Sequence, residues 1–215
     1  MFMQNMEVWK LHSVTDYLFF IAYVAFFALV VYLAIKKINN GRNDASAIKR
    51  VAKRLKALNG VSKVYNDVTL DFGSGSQHYD HLIVDAAGIV AVKSIGRGLK
   101  IYGTADDAEW KVTDNKESNM RIPNPIKELE DAAAPLKKYL SKSGMYNVEV
   151  TPLAVFADTF DTPQLYLGRD SHCIVYDGLK DWTSNHKMRA KGKTTKMDKD
   201  AVTALIDKVV AAQNQ

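Results

Sequence analysis

The sequence is short of several things, and each shortage narrows what it encodes. Cysteine occurs once in 215 residues, at Cys173. A lone thiol leaves no intramolecular disulfide to form, which fits a reducing compartment and excludes a disulfide-stapled scaffold. Because it sits in the apolar run HCIVY, it reads as inert core. P-loop, G-x-S-x-G and C-x-x-C patterns are missing, and with them the usual phosphate cradle, serine nucleophile and zinc or redox signatures. No internal repeat or low-complexity tract occurs.

Acid is scarce after residue 35. Lys36, Lys37, Arg42, Lys49, Arg50, Lys53, Arg54 and Lys56 face a single acid, Asp44, and with Lys63 the stretch 36–65 carries +8. A second basic stretch, 187–200, sets Lys187, Arg189, Lys191, Lys193, Lys196 and Lys199 against two acids. The whole chain is only +5, so its middle is close to neutral or acidic. The first cluster suits three roles: enforcing topology, contacting anionic headgroups, or binding nucleic acid. The second reads as a solvated loop.

What the chain does have is an apolar run, Tyr17 to Ile35, YLFFIAYVAFFALVVYLAI, without charge or proline. As a helix it measures about 28 Å, the hydrocarbon thickness of a bilayer. It has no polar face to suit a small soluble core. A cleavable signal has a basic start and a shorter apolar stretch; here positive charge follows the run, and no clear cleavage site comes after. The run is expected to span a membrane uncleaved. Only Lys10 precedes it, with Glu7 and Asp16 nearby, and bases beside a span stay inside. The expectation is a single-pass protein of the inner (plasma) membrane, N-terminus out and C-terminal domain cytoplasmic. Residues 1–16 would be a short outer tail, 17–35 the span and 36–44 a basic linker.

The remaining chain suits one compact domain, 45–186, followed by a basic loop and closing helix, 187–215. Ile48, Val51, Leu55 and Leu58 recur at helical spacing, ended by Asn59-Gly60. Residues 61–72 alternate like a strand, GSGS at 73–76 turns, and 78–84 returns. Residues 89–92 are apolar enough for a central strand, and Trp110–Thr113 reads as a short edge strand. A helix over 126–140, strands over 148–156 and 172–176, a short helix at 179–182 and a closing helix over 199–213 follow. This is an α/β domain with a mixed central sheet flanked by helices.

From Tyr65 to about Trp182 the residues resemble the nuclease-related domain (NERD) family, relatives of the restriction-endonuclease-like PD-(D/E)xK fold. Asn66-Asp67-Val68 and the Asp80-His81-Leu82-Ile83-Val84 strand carry the resemblance. It continues through Gly88-Ile89-Val90, Ile101-Tyr102-Gly103, Trp110, Asn124-Pro125-Ile126 opening a helix, and the Val155-Phe156 strand. The resemblance implies a helix Glu, a strand Asp, a Glu-x-Lys pair and a helix Gln. Such carboxylates hold Mg²⁺, which orients water and neutralises phosphate charge, while the lysine stabilises the transition state.

Of these residues, Asp80 matches plainly. Counting from Gly88 places the Glu-x-Lys pair on Lys93-Ser94-Ile95; a two-residue slip places it on Ala91-Val92-Lys93. Neither register supplies the glutamate. Glu128 stands where the family has Gln, and the helix acid falls near Ala47-Ile48. Two arrangements stay open: an Asp80–Lys93 ion pair, or a two-carboxylate site of Asp80 and Glu128 with Lys93. Asp85 should point away from Asp80, and His78 and Asp80 should share a face that His81 opposes, so no three-ligand metal cluster is expected. Gly96-Arg97-Gly98 with Lys100 fits a hairpin turn or a phosphate cradle.

Three functions are therefore carried forward. One is a catalytically silent module binding nucleic acid or protein through Lys49, Arg50, Lys53, Arg54, Lys56, Arg97 and Lys100, with no cofactor. The second is a nuclease using Asp80, Lys93, Glu128 and Mg²⁺. The third is a membrane scaffold without a nucleic-acid role, its bases touching lipid headgroups.

Overall fold

A computed structural model describes residues 14–41, 43–73, 75–113, 119–146, 148–159, 161–168, 171–192 and 197–213. Glu7, Trp9 and Lys10 of the expected outer tail, Arg42, and residues 193–196 of the second basic stretch lie outside them. The chain divides into two units, residues 1–40 and 41–215.

The first unit is a helix, α1 (Val14–Gly41). It contains the window Tyr17–Lys36, long and apolar enough to cross a membrane, and none of that window is buried. The helix continues into the segment expected to be a linker as far as Gly41, because Lys36-Lys37-Ile38-Asn39-Asn40 contains no helix breaker.

The second unit opens with α2 (Asp44–Leu55), capped by Asn43, whose Oδ1 accepts from Ser46 N at 2.8 Å. Its inward face is Ala47, Val51 and Leu55, with Leu58 following in a 3₁₀ turn, while Ile48 is only half-buried. β1 (Lys63–Asp71), β2 (Ser76–Asp85) and β3 (Gly88–Ile95) form an antiparallel meander. β7 (Val150–Phe156) and β9 (Cys173–Val175) add in parallel, completing a five-stranded sheet in the order β1-β2-β3-β7-β9.

A second sheet was not anticipated. β4 (Lys100–Gly103), β5 (Glu109–Thr113), β6 (Asn119–Pro123) and β8 (Gln164–Leu167) form it in the order β6-β5-β4-β8. Trp110–Thr113 is therefore an interior strand rather than an edge. Its inward residues Trp110 and Val112 pack with Ile101 against Ile95, Phe156 and Ile126. β6 and β8 escaped notice because both are short and half-exposed, with little apolar alternation.

Three helices complete the body: α3 (Pro125–Lys142), α4 (Leu179–Gly192) and α5 (Lys199–Gln213). Leu129, Ala132, Ala133, Leu136 and Leu140 of α3 share a core with Leu82, Val84 and Ala91, and Val202, Ile206 and Val209 of α5 join it. The expected boundary at residue 186 thus falls inside α4, and the closing helix belongs to the domain core.

One backbone feature shapes the site. Asp67 takes φ +52°, a left-handed value that aspartate tolerates better than most residues. Tyr65 and Val68, an odd number apart, consequently both face the α3 core, as do Tyr79 and Leu82 on the paired strand. Period-2 alternation breaks there, next to Asp80. At the far end of β3, a Cβ on Gly96 would lie 2.0 Å from Asn43 O, so only glycine fits.

Candidate functional site

Asp80, Lys93 and Glu128 line one cleft of about 380 Å³, with Gln77, His78 and Asp131 on its rim. Each arrives by a different route. β2 and β3 pair up to His81–Val92 and then separate, while β3 continues with β7 to Ile95. Where the ladder opens, Asp80 Oδ2 accepts from Ser94 N at 2.7 Å, taking the place of a strand carbonyl. Lys93, one residue earlier on β3, extends into the cleft. Glu128 comes from the first turn of α3, set by the buried Asn124 cap. Asn124 Oδ1 accepts from Ile126 N at 3.0 Å, and Nδ2 donates to Asp107 O at 2.8 Å. Pro125 at the first helical position completes that start.

Of the two arrangements left open, the Asp80–Lys93 ion pair is not the one formed. Lys93 Nζ binds Glu128 rather than Asp80. The partners of Asp80 are Ser94 N and, at 3.6 Å, His78 Nε2, which also lies 3.6 Å from Asp67. Burial raises the Asp80 pKa above the usual carboxylate range, against the opposing pull of the Ser94 N–H, His78 and Lys93.

Beneath the cleft, His81 is fully buried. Its Nδ1 donates to Asn66 Oδ1 at 2.8 Å, so Nε2 accepts from Ser94 Oγ at 3.0 Å. Burial holds its pKa down to about 4. This neutral imidazole locks β1, β2 and β3 together and is turned away from the cleft.

The implied Mg²⁺ is a poor match to these donors. Among the described residues no group of three or more His, Cys, Asp or Glu side chains is placed to hold a metal ion. One Asp80 oxygen is committed to Ser94, and Glu128 is neutralised by Lys93, whereas Mg²⁺ needs free oxygen ligands in near-octahedral array. With Lys93 facing the cleft, Ala91 is buried in the α3 core and Ile95 in the β5 core, so β3 supplies no carboxylate.

A model of the nuclease-related domain matches residues 43–157, more than half of the chain. The chain belongs to the nuclease-related domain family. No curated protein and no solved structure matches it. The NERD match starts at the α2 cap and ends just after β7, so β8, β9, α4 and α5 lie beyond it. The mixed α/β architecture is consistent with a restriction-endonuclease-like fold.

Within the NERD domain the candidate basic contacts divide into two groups. Arg50 donates to Ala157 O at 3.1 Å and to Asp158 O, with its guanidinium 4.2 Å from the centre of the Tyr176 ring. Arg54 lies 5.4 Å from the same ring. Arg97 binds Asp44 Oδ2 at 3.2 Å, while Asp44 Oδ1 accepts from Gly96 N at 2.9 Å. An internal carboxylate thus fills the place proposed for a phosphate. Lys49, Lys53, Lys56 and Lys100 are exposed. The three arginines have a carbonyl, ring or carboxylate neighbour within the fold, and the lysines are open to solvent.

Sequence reasoning missed a second polar cluster. Asp85, at the end of β2, binds His186 of α4 and accepts from Ala87 N at 2.7 Å and Ser62 Oγ at 3.4 Å. Trp182 stacks on the His186 ring at 4.7 Å. Burial raises the Asp85 pKa, but His186 and the other two donors outweigh it, and the net displacement is downward. No local pattern could have joined residues 101 apart in sequence.

Proposed function

We propose that this is a membrane-anchored NERD module that binds nucleic acid at the cytoplasmic face without cutting it. The observation that carries the reading is the Lys93–Glu128 ion pair beside Asp80. It ties up the carboxylate that would have joined Asp80 around a metal, and leaves a cleft suited to holding ligand. Family membership and the solvent-facing Lys49, Lys53, Lys56 and Lys100 support nucleic acid as partner. The apolar α1 window followed by basic residues supports anchoring with the domain inside.

The test uses the full chain in neutral detergent, with labelled DNA and RNA at low salt. Retention should weaken steeply as salt rises, and Lys49→Ala/Lys53→Ala/Lys56→Ala should flatten that dependence by roughly 0.7–0.9 per lost phosphate contact. Arg50 and Arg54 are left intact, because removing them would disturb the fold. No retention at low salt rejects the reading in favour of a scaffold or protein-binding role.

The shared cleft of Asp80, Lys93 and Glu128 keeps a second reading, a rebuilt metal-dependent nuclease in which Lys93 releases Glu128. Cleavage with Mg²⁺ or Mn²⁺ that disappears in Asp80→Ala would establish it; intact substrate under both metals rejects it.

A further inference from the structure

The second sheet has an inner and an outer face, and the outer one is chemically distinctive. Strand alternation turns Ile101, Trp110, Val112, Ile122, Leu165 and Leu167 inward. The intervening residues face solvent. Register aligns four of them in one row across all four strands. Tyr166 of β8 pairs with Tyr102 of β4, Tyr102 with Lys111 of β5, and Lys111 with Arg121 of β6. Neighbouring strands lie about 4.8 Å apart, so the row is roughly 14 Å long.

The two tyrosines stack, with ring centres 4.7 Å apart and planes 8° from parallel. They remain 37% and 52% exposed for Tyr102 and Tyr166 while stacked on each other. β8 is an edge strand, so Tyr166 presents the end of the two-ring stack at the border of the sheet. On the other side of Tyr102 in the same row stand Lys111 and then Arg121, with Lys100 two residues along β4 on the same face, all exposed. Among the described residues of these strands the one acid on the face is Glu109, 3.5 Å from Arg121 in a pair so exposed that it holds the guanidinium weakly.

We infer that the Tyr102–Tyr166 stack and the Lys100, Lys111 and Arg121 cations of this sheet form a binding platform for single-stranded nucleic acid. A flat aromatic stack extends by one more π-face, which any unstacked base supplies, and the cations further along the row meet phosphates of a strand that crosses the sheet. A duplex keeps its bases stacked inside and offers the tyrosines nothing. A lipid surface would use the cations and leave the ring stack idle. The inference rests on the nucleic-acid reading above and moves its main contact from α2 to the sheet.

The test uses the full chain in nanodiscs of zwitterionic lipid, with a labelled single strand, its duplex, and vesicles containing anionic lipid. The single strand should bind more tightly than the duplex. Tyr102→Thr/Tyr166→Thr, which keeps strand propensity, should weaken it roughly 10-fold, within the range for losing a stacked base, without lowering the melting temperature. Phenylalanine at both positions should restore binding. Lys111→Gln/Arg121→Gln should reduce the salt slope by about 1.4, or about 0.7 for each contact.

Unchanged affinity in the threonine variant, or equal competition by duplex, overturns the platform. So does vesicle binding that needs Lys111 and Arg121 while the oligonucleotide does not. If only the Lys49/Lys53/Lys56 variant loses nucleic acid, the platform fails and the functional reading stands. If no nucleic acid binds at low salt, both fail.

Discussion

Asp80 and Asp85 lie five residues apart on β2 and meet opposite fates. Asp85, on the α4 side, is buried but fully served by His186, Ala87 N and Ser62, and its pKa falls. Asp80, on the α3 side, is largely buried with one backbone donor and a distant histidine, and its pKa rises. The first is a carboxylate built into the fold. The second is held under-compensated at the mouth of a cleft, which is how groups at functional sites are commonly kept. The same strand thus carries an acid with its partners supplied by the fold and an acid that lines a cleft, and partner supply tells them apart.

The strongest way to break this contrast is at Asp85. Asp85→Ala leaves His186 without its partner and should cost about 3–5 kcal/mol, read from urea unfolding. Because the folded pKa is depressed, the wild-type contribution is present above the unfolded value and is lost as pH falls through the folded one. An unchanged midpoint would show that the pair is not structural.

Next in size is His81, between the two acids. Its folded pKa is about 4 against 6.5 unfolded, so the unfolded chain takes the proton first. Stability should be full above about pH 6.5 and fall by about 3 kcal/mol as pH drops to 4. His81→Asn should flatten that part of the profile, whatever its baseline stability.

Asp80→Asn should act in the opposite sense to Asp85→Ala. It keeps an acceptor for Ser94 N and removes a charge disfavoured by burial, so stability at pH 7 should rise by about 0.5–2 kcal/mol. The raised pKa means that this gain shrinks as pH falls through the folded value and Asp80 protonates by itself. A loss of stability on substitution would place Asp80 with Asp85 as a structural acid.

The smallest effect belongs to Lys93 and Glu128. Their side chains are 37% and 41% exposed, so a double-mutant cycle with Lys93→Met and Glu128→Gln should give a coupling of less than about 1 kcal/mol. A larger value would mean that the cleft is dry and the pair part of the core.

Much of this was legible along the chain. The apolar helix, the β1–β3 meander, the Asn124-Pro125 opening of α3 and β7 all follow from hydrophobic period and capping chemistry. Asp80 could be named because it matches the strand Asp of the family that the chain resembles. What was not legible depends on distance in sequence or on a broken rule. The left-handed Asp67 abolishes the alternation by which facing is read, and β6 and β8 reveal themselves only through partners. The choice of Glu128 over Asp80 by Lys93 is set by how α3 docks, and the Asp85–His186 contact joins β2 to α4. Arg50, Arg54 and Arg97 looked like a binding cluster beside their lysine neighbours, because a charge count cannot show which cations already have carbonyl, ring or carboxylate partners.

The close approach of Gly96 to Asn43 has a mechanical consequence. Asn43 stands at the start of the folded body, and any pull on the chain from its N-terminal side would reach the body there. Such a pull meets Asp44, bound to Gly96 N and Arg97, before it can peel the buried face of α2 away. Gly96 follows β3 directly, so these contacts join the start of α2 to the end of the strand that carries Lys93 and Ser94. Replacing Gly96 with alanine would therefore loosen the join between the start of α2 and the end of β3.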